Sequence, residues 1–445
     1  MTIDLENKIK GLPRDLSEIE LTNLSETIKG KGSIYLGKNG IIELKIYVDN
    51  PKPVTIESIF KEINQNPSEI GKLIPEESYY SFKGNSANKD EYMCSRVWIT
   101  DHENQKIYTA EICSELKITN STFTEKAKIA KVEIPYKIKI PKNHRIESQK
   151  KYSDKWTSRN VSFELFEISF ESKSIDIFSE EDCTVVLIQY DDYGKLEEEI
   201  HLLIDALGFI TATLIDRFVI EYRLENGKFK TEFHYFHKQR QSILTGHPPL
   251  AISSSFKKEY YTSLFSDFFK YLSCNSHEQI TETFNRIISA QNTYITVYAL
   301  TITTAIETLI NEYYPSEPFT IPKKEIDSAI EEINGTKILD ALKSRIIGML
   351  GNIVGQVRAD DVIRDLVTTG ILNEKLRSNW KTLRNSVNHG KNPTANFQEL
   401  IILCESNLVL YYSLILNLIN YKGQFTDYST YGYPLITINN KQLNT

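Results

Sequence analysis

The strongest constraint on the fold is a change of hydrophobic period near residue 250. Before it, apolar side chains alternate with polar ones in short runs, the period of a half-buried strand. After it, they recur every three to four residues, the period of an amphipathic helix. The alternation is plain in GSIYLGKNGIIELKIYVD, two runs around Lys38-Asn39-Gly40 that read as a hairpin. Further strands are expected in CSRVWITD, KIYTAEICSEL, AKVEIPYKIKIP, NVSFELFEISF and CTVVLIQYDD. RFVIEYRLENGKFKTEFHYFH reads as a strand pair turning at Asn226-Gly227. Helical patterning interrupts them around Thr55 to Asn64 and from about Glu197 to Asp216. So many short strands predict a sandwich or two packed sheets, divisible into two subdomains.

The connector ILTGHPPLAISS, with its glycine and paired prolines, ends this regime. Ser253 and Ser254 are candidate caps for a helix through FKKEYYTSLFSDFFKYL. HEQITETFNRIISA and YITVYALTITTAIETLINEYY follow, the latter with Val297, Leu300, Ala305, Leu309 and Tyr313 at helical spacing. Pro315 and Pro318 stop it. Shorter amphipathic segments are expected near 322–333, 336–350 and 358–369. Two more helices follow, from about Asn373 to His389 and from about Gln398 to Tyr421. The fold class expected is therefore α+β: a β-rich region over 1–250, an all-α bundle over 251–425, and a non-helical tail over 426–445.

Composition narrows the function. A length of 445 residues exceeds one hydrophobic core. A net charge of −7 excludes a whole-chain basic field for nucleic acid, so any such contact rests on a local patch. Five scattered cysteines without a C-x-x-C pair suit reduced thiols in a cytoplasm better than a disulfide framework. No apolar leader precedes the first segments, and the apolar run Leu408 to Ile419 reads as a core helix, so no membrane association is expected.

Against that acidic background, WKTLRNSVNHGKNP stands out. On a helix turning about 100° per residue, Leu376, Trp380, Leu383 and Val387 share one face. Arg377, Lys381, Arg384 and Asn388 form a neighbouring basic and polar stripe, and Asn385 and His389 stack on a third line. Gly390 ends the helix just after His389. Arginine grips phosphate oxygens bidentately. Histidine, with an ordinary pKa of about 6.5, serves as acid or base near neutral pH. Together they satisfy the needs of metal-independent RNA cleavage: a base for the 2′-hydroxyl, a cation for the phosphorane and an acid for the leaving 5′-oxygen. One chain supplies one such histidine, so two motifs across a two-fold axis would supply both acid and base. A solvated basic helix face capped by a histidine is the bland alternative. Arg240 and His247 form a looser copy, set aside because it lies in the proline-rich connector.

Residues from about 255 to 425 resemble a HEPN domain, an α-helical bundle of prokaryotic defence and toxin nucleases. LRNSVNHG resembles its Arg-polar-x-x-x-His signature, with Asn385 in the polar slot, and ALTITTAIETLI resembles its first core helix. The β-rich half in front is similar to the layout of ApeA-like HEPN proteins, which act against phage. The resemblance implies a homodimer or higher homo-oligomer with a composite cleft. Arg384 and His389 would be catalytic, Asn385 would support them, and Glu307 on the first core helix is a further candidate. Arg377, Lys381 and Lys391 would contact RNA. The implied activity is cleavage of host RNA, such as tRNA, in abortive infection, with a phage-derived trigger or an antitoxin as partner. The segment Pro315 to Thr369 exceeds a minimal bundle of this kind.

Other clusters carry less. His234 and His237 form H-x-x-H without a third ligand and read as strand-end histidines. Asp360, Asp361 and Asp365 interleave with Arg358 and Arg364 and read as a salt-bridged surface. No P-loop or G-x-G-x-x-G stretch is present, so no nucleotide-driven engine is expected; no cofactor and no metal are expected either. The competing function is a non-catalytic module whose bundle only dimerises, and a third is the toxin of a toxin–antitoxin pair.

Overall fold

The computed structural model describes residues 14–36, 42–50, 76–103, 106–113, 116–120, 127–141, 144–148, 151–152, 155–156, 161–171, 173–180, 183–190, 195–224, 229–235, 243–251, 258–275, 278–314, 323–351, 358–388 and 397–437. The chain clusters into two compact units, residues 1–204 with 215–243 and residues 205–214 with 244–445. The first is β-rich and the second helical, an α+β architecture.

The β-rich unit begins with strands β1 (Arg14–Thr22), β2 (Thr27–Leu36), β3 (Ile42–Val48), β4 (Tyr80–Ser86), β5 (Asp90–Glu103) and β6 (Ile107–Ile112). Their order is β4-β1-β2-β3-β6-β5, and β5 also pairs with β4, so the six close into a barrel. Closure removes the exposed edges that a flat sheet would leave. The interior is filled by the alternating residues Leu16, Ile19, Leu21, Ile34, Leu44, Ile46, Phe82, Tyr92, Val97 and Ala110. At Gly32 a Cβ would fall 1.8 Å from the Lys45 carbonyl oxygen, so only glycine permits β2 to approach β3 so closely.

Strand β5 is 14 residues long and, besides β4, pairs with two further strands. Its first half pairs with β7 (Leu116–Asn120), and its second half with β6. Through β7 the ladder continues into β16 (Phe229–Tyr235), β15 (Arg217–Leu224), β8 (Ala127–Ile134), β14 (Cys183–Tyr190), β13 (Lys173–Glu180), β12 (Val161–Phe170) and β9 (His144–Ser148). The strands expected as separate sheets thus share one 14-stranded ladder. A small hairpin, β10 (Lys151–Tyr152) and β11 (Lys155–Trp156), pairs on its own. The strand expected through AKVEIPYKIKIP stops at Ile134, where Pro135 lacks a donor. Beyond it Tyr136, Ile138 and Ile140 stay buried, and Thr184 Oγ1 donates to the Tyr136 carbonyl (2.9 Å) and accepts from Ile138 N–H (2.8 Å). The turns at Lys38-Asn39-Gly40 and Asn226-Gly227 lie outside the described residues, but the pairs Leu36↔Ile42 and Arg223↔Phe229 join the expected strands. The helix expected at Thr55 to Asn64, the caps Ser253 and Ser254, and His237 also lie outside them. His234 is the last residue but one of β16, the expected strand-end position, and is buried there with its ring stacked 4.7 Å from Phe218.

Helix α1 (Lys195–Thr211) takes up the expected helical interruption. The helical unit contains α2 (Lys258–Cys274), α3 (Glu278–Gln291), α4 (Ile295–Tyr313), α5 (Lys323–Gly335), α6 (Asp340–Gly351), α7 (Ala359–Thr368), α8 (Glu374–Asn388) and α9 (Phe397–Leu418). Phe209, from the end of α1, stacks on Phe268 of α2 at 4.0 Å. On α4 the buried face is Tyr298, Ala299, Ile302, Thr303, Ala305, Ile306, Leu309 and Ile310. Val297 and Leu300, which share the helical spacing of Ala305 and Leu309, are about half exposed. Helix α9 is buried nearly all round, as a central core helix should be. Its length and composition also suit a membrane span, but its apolar surface is taken up within the unit. The tail strands β17 (Gln424–Thr426) and β18 (Leu435–Thr437) form a short hairpin. It is fastened to the connector by Thr426 N–H to Pro249 O (2.8 Å) and Tyr428 Oη to Pro248 O (2.6 Å).

One carboxyl group sits in this helical core. Glu405 of α9 has an Oε2 with no hydrogen-bond partner among the described residues, and its Oε1 lies 3.8 Å from His247 Nε2. Burial pushes the Glu405 carboxyl up to about 7 and lowers His247, disfavouring the charged form of each. An unfolded glutamate titrates near about 4.3. Below that pH the group is protonated in both states. As pH rises towards 7 the native state holds a proton that the unfolded chain has lost, so stability falls. Between pH 5 and pH 8, urea denaturation of the wild type should therefore show a loss about 2 kcal/mol larger than that of Glu405→Gln. Equal losses in the two proteins would mean that Glu405 is ionised in the fold.

Candidate functional site

Helix α8 starts at a side-chain cap, the Asn373 carbonyl accepting the Leu376 N–H at 2.9 Å. Glu374 in its first turn suits the positive end of the helix dipole. Leu376, Trp380 and Leu383 are buried, and α8 packs against α9, α4 and α7. Asn379 Nδ2 donates to Ser406 Oγ of α9 at 2.8 Å, which sets the rotation of the helix. Val387, the fourth residue of the expected stripe, is only partly buried.

With that face fixed, the adjoining flank of α8, from the edge of Trp380 round to Asn385, borders a cleft of about 500 Å³. Helix α8 contributes Trp380, Lys381, Arg384 and Asn385; α4 contributes Glu307 and Asn311. The start of α7 adds Arg358 and Asp360. Arg384 Nε donates to Glu307 Oε1 across the cleft, and its guanidinium lies 5.6 Å from the centre of the Trp380 ring. Both partners keep solvent access, 41% for the Arg384 side chain and 30% for Glu307. Pairs so exposed contribute about 0–1 kcal/mol, so an incoming anion can exchange with the carboxylate at small cost. Trp380 keeps a buried Nε1–H with no acceptor among the described residues.

A second carboxylate organises the rest of the stripe. Asp360 accepts from Arg377 through both oxygens, 2.8 Å to Nε and 3.0 Å to Nη2, and from Lys381 Nζ at 3.1 Å. Arg377 also donates to Glu374 at 3.0 Å and is 16% exposed. The Arg377 hydrogen bonds, then the Lys381 bond, hold the Asp360 carboxyl below the usual carboxylate range. A bidentate, largely covered pair of this kind does not exchange readily.

Of the residues expected to act, Arg384 and Asn385 line the cleft, and Glu307 faces Arg384 there. Lys381 lines it while bound to Asp360. Arg377 is not part of the lining; its charge is spent on Asp360 and Glu374, so it serves to hold α7 to α8. His389 and Lys391 lie outside the described residues; His389 follows directly on Asn388, the last residue of α8. Asp361 pairs with Arg364 at 2.7 Å, the salt-bridged surface expected of that segment, but Asp360 turns instead to α8. No motif or spacing in the sequence marks Arg358, Asn311 or Asp360 as a site residue. Asp360 and Arg377 are 17 residues apart and no local spacing links them.

The Asp360 cluster makes a pH-dependent contribution. Its folded pKa is depressed, so the stabilisation is full above the unfolded value of about 3.9 and disappears as pH falls through the folded one. Asp360→Asn should cost about 1–2 kcal/mol at pH 7, a fall of a few degrees in melting temperature. The difference from wild type should shrink as pH falls below about 4. A melting temperature unchanged at pH 7 would show that the cluster adds nothing to stability.

No known protein family, no curated protein and no solved structure matches the chain.

Proposed function

We propose that the helical unit is a metal-independent endoribonuclease of the HEPN type, acting through Arg384 and His389. The observation that carries this is the cleft: Arg384 and Asn385, side by side in the motif, both line it, and a displaceable carboxylate occupies the arginine. The guanidinium would hold the scissile phosphate and stabilise the phosphorane, exchanging Glu307 for phosphate oxygens. His389, next in the chain after α8, would move the proton of the 2′-hydroxyl or of the leaving 5′-oxygen. Asn385 would orient one of these groups. Two copies of the chain in a homodimer would supply the acid and the base together. In this proposal the protein works in bacterial anti-phage defence, cutting host RNA such as tRNA, and the β-rich unit senses the infection or restrains the nuclease.

A non-catalytic interaction module is the second possibility, and one specific observation favours it. Arg377, Lys381 and Arg384 all have internal carboxylate partners, as a structural ion-pair network would require.

Incubation of the purified protein with total RNA in EDTA separates the two. Cleavage leaving 2′,3′-cyclic phosphate ends is expected for wild type. Arg384→Ala and His389→Ala should each lower the rate by at least about a hundredfold, since each removes a group acting in the transition state. Full activity in both variants would sink the proposal. Persistent lack of cleavage by wild type, with or without phage components, would favour the interaction module.

A further inference from the structure

Three cations line the cleft among the described residues: Arg358, Lys381 and Arg384. Lys381 is bonded to Asp360 and Arg384 to Glu307. The Arg358 side chain is exposed and has no ion pair or hydrogen bond among the described residues. Three positive charges thus face two negative ones, and the uncompensated charge belongs to Arg358.

The backbone beneath that side chain is nevertheless fixed. Arg358 is extended (φ −89°, ψ 141°) at the threshold of α7, and its carbonyl accepts the Asp361 N–H at 2.9 Å and the Val362 N–H at 3.3 Å. A guanidinium on a rigid base loses less freedom when it binds than one on a mobile loop. Two neutral amides of the same lining, Asn311 and Asn385, are likewise exposed and make no side-chain hydrogen bond among the described residues. Carboxylates occupy the cleft's other cations, while these three groups remain available to a ligand.

We infer that Arg358 is the cation on which an RNA phosphodiester first seats in this cleft, with Asn311 and Asn385 as the neutral hydrogen-bonding groups beside it. This rests on the cleft being the RNA site. An anion arriving at Arg358 breaks no existing pair, whereas binding at Arg384 requires Glu307 to leave. Seating therefore precedes exchange: Arg358 binds one phosphate, and the strand then competes Glu307 off Arg384. Planar, bidentate recognition of phosphate suits arginine at the first step.

The test uses the full chain and a short single-stranded 2′-O-methyl oligonucleotide, which cannot be cleaved by 2′-hydroxyl attack. Binding is followed by fluorescence anisotropy over a salt series. Arg358→Ala should weaken binding about tenfold, the loss of one charge-assisted phosphate contact. It should also flatten the slope of log affinity against log salt by about 0.7. Arg358→Lys should restore the slope and part of the affinity. Arg364→Ala, on α7 just after Arg358 but paired with Asp361 and absent from the lining, should bind as wild type does. Wild-type affinity and slope in Arg358→Ala would overturn the inference, as would failure of the wild type to bind the oligonucleotide. Cleavage by wild type together with unaltered binding by Arg358→Ala would overturn it and leave the nuclease proposal standing. Binding that depends on Arg358 in a protein that never cuts RNA would support it and remove the nuclease proposal instead.

Discussion

The buried face of α8 is the constraint on which the cleft depends. Leu376, Trp380 and Leu383 are nearly inaccessible, and the Asn379–Ser406 hydrogen bond fixes which way the helix is turned. Burying a leucine or a tryptophan of this kind is worth roughly 2–3 kcal/mol each, several times an exposed ion pair. Packing therefore decides where Arg384 and Asn385 are presented, and electrostatics acts only after that decision. Rotation of α8 by a single residue, about 100°, would carry Arg384 away from Glu307.

Within the presented face, exposure sorts the charges into two kinds. Arg377, at 16% exposure and bidentate to Asp360, behaves as part of the scaffold between α7 and α8. Arg384, at 41%, is held by one carboxylate in contact with solvent. The same helical stripe thus contains a cation locked by its partner and a cation that can change partners. A uniformly free basic stripe would attract polyanions more strongly, but its like charges would repel at spacings of three and four. Asp360 relieves that repulsion by bonding two of them at once.

Much of this architecture is legible in residue periods, and the failures have physical causes. Alternation located most of the strands, because side chains on a strand point to opposite faces whatever the global topology. It does not encode which strand is a neighbour, so barrel closure through β4 and β5 was invisible. Edge-to-edge pairing is made by backbone groups that every residue carries. On α4 the apolar residues occur nearly all round, so the spacing of Val297 and Leu300 marks a helix without marking its buried face, which Tyr298, Ile302 and Ile306 hold. A helix with a narrow stripe, such as α8, has no such ambiguity: Leu376, Trp380 and Leu383 are buried as their spacing requires.

Charge was less legible than packing for a related reason. Spacing along α8 placed Arg377, Lys381 and Arg384 on one stripe, and the structure keeps them there, but their electrostatic state depends on α4 and α7. Glu307 is 77 residues from Arg384, and Asp360 is 17 from Arg377. Neither separation matches a helical repeat. The converse holds for Arg358, which looked like one of several alternating charges around Asp360, Asp361 and Asp365. Its neighbours found partners, Asp361 in Arg364 and Asp360 in α8, and left it with none among the described residues. The group best placed to meet an anion is therefore the one whose local sequence looked most like neutralised surface. Pairing in three dimensions, more than the density of basic residues along the chain, determines where this acidic protein offers positive charge.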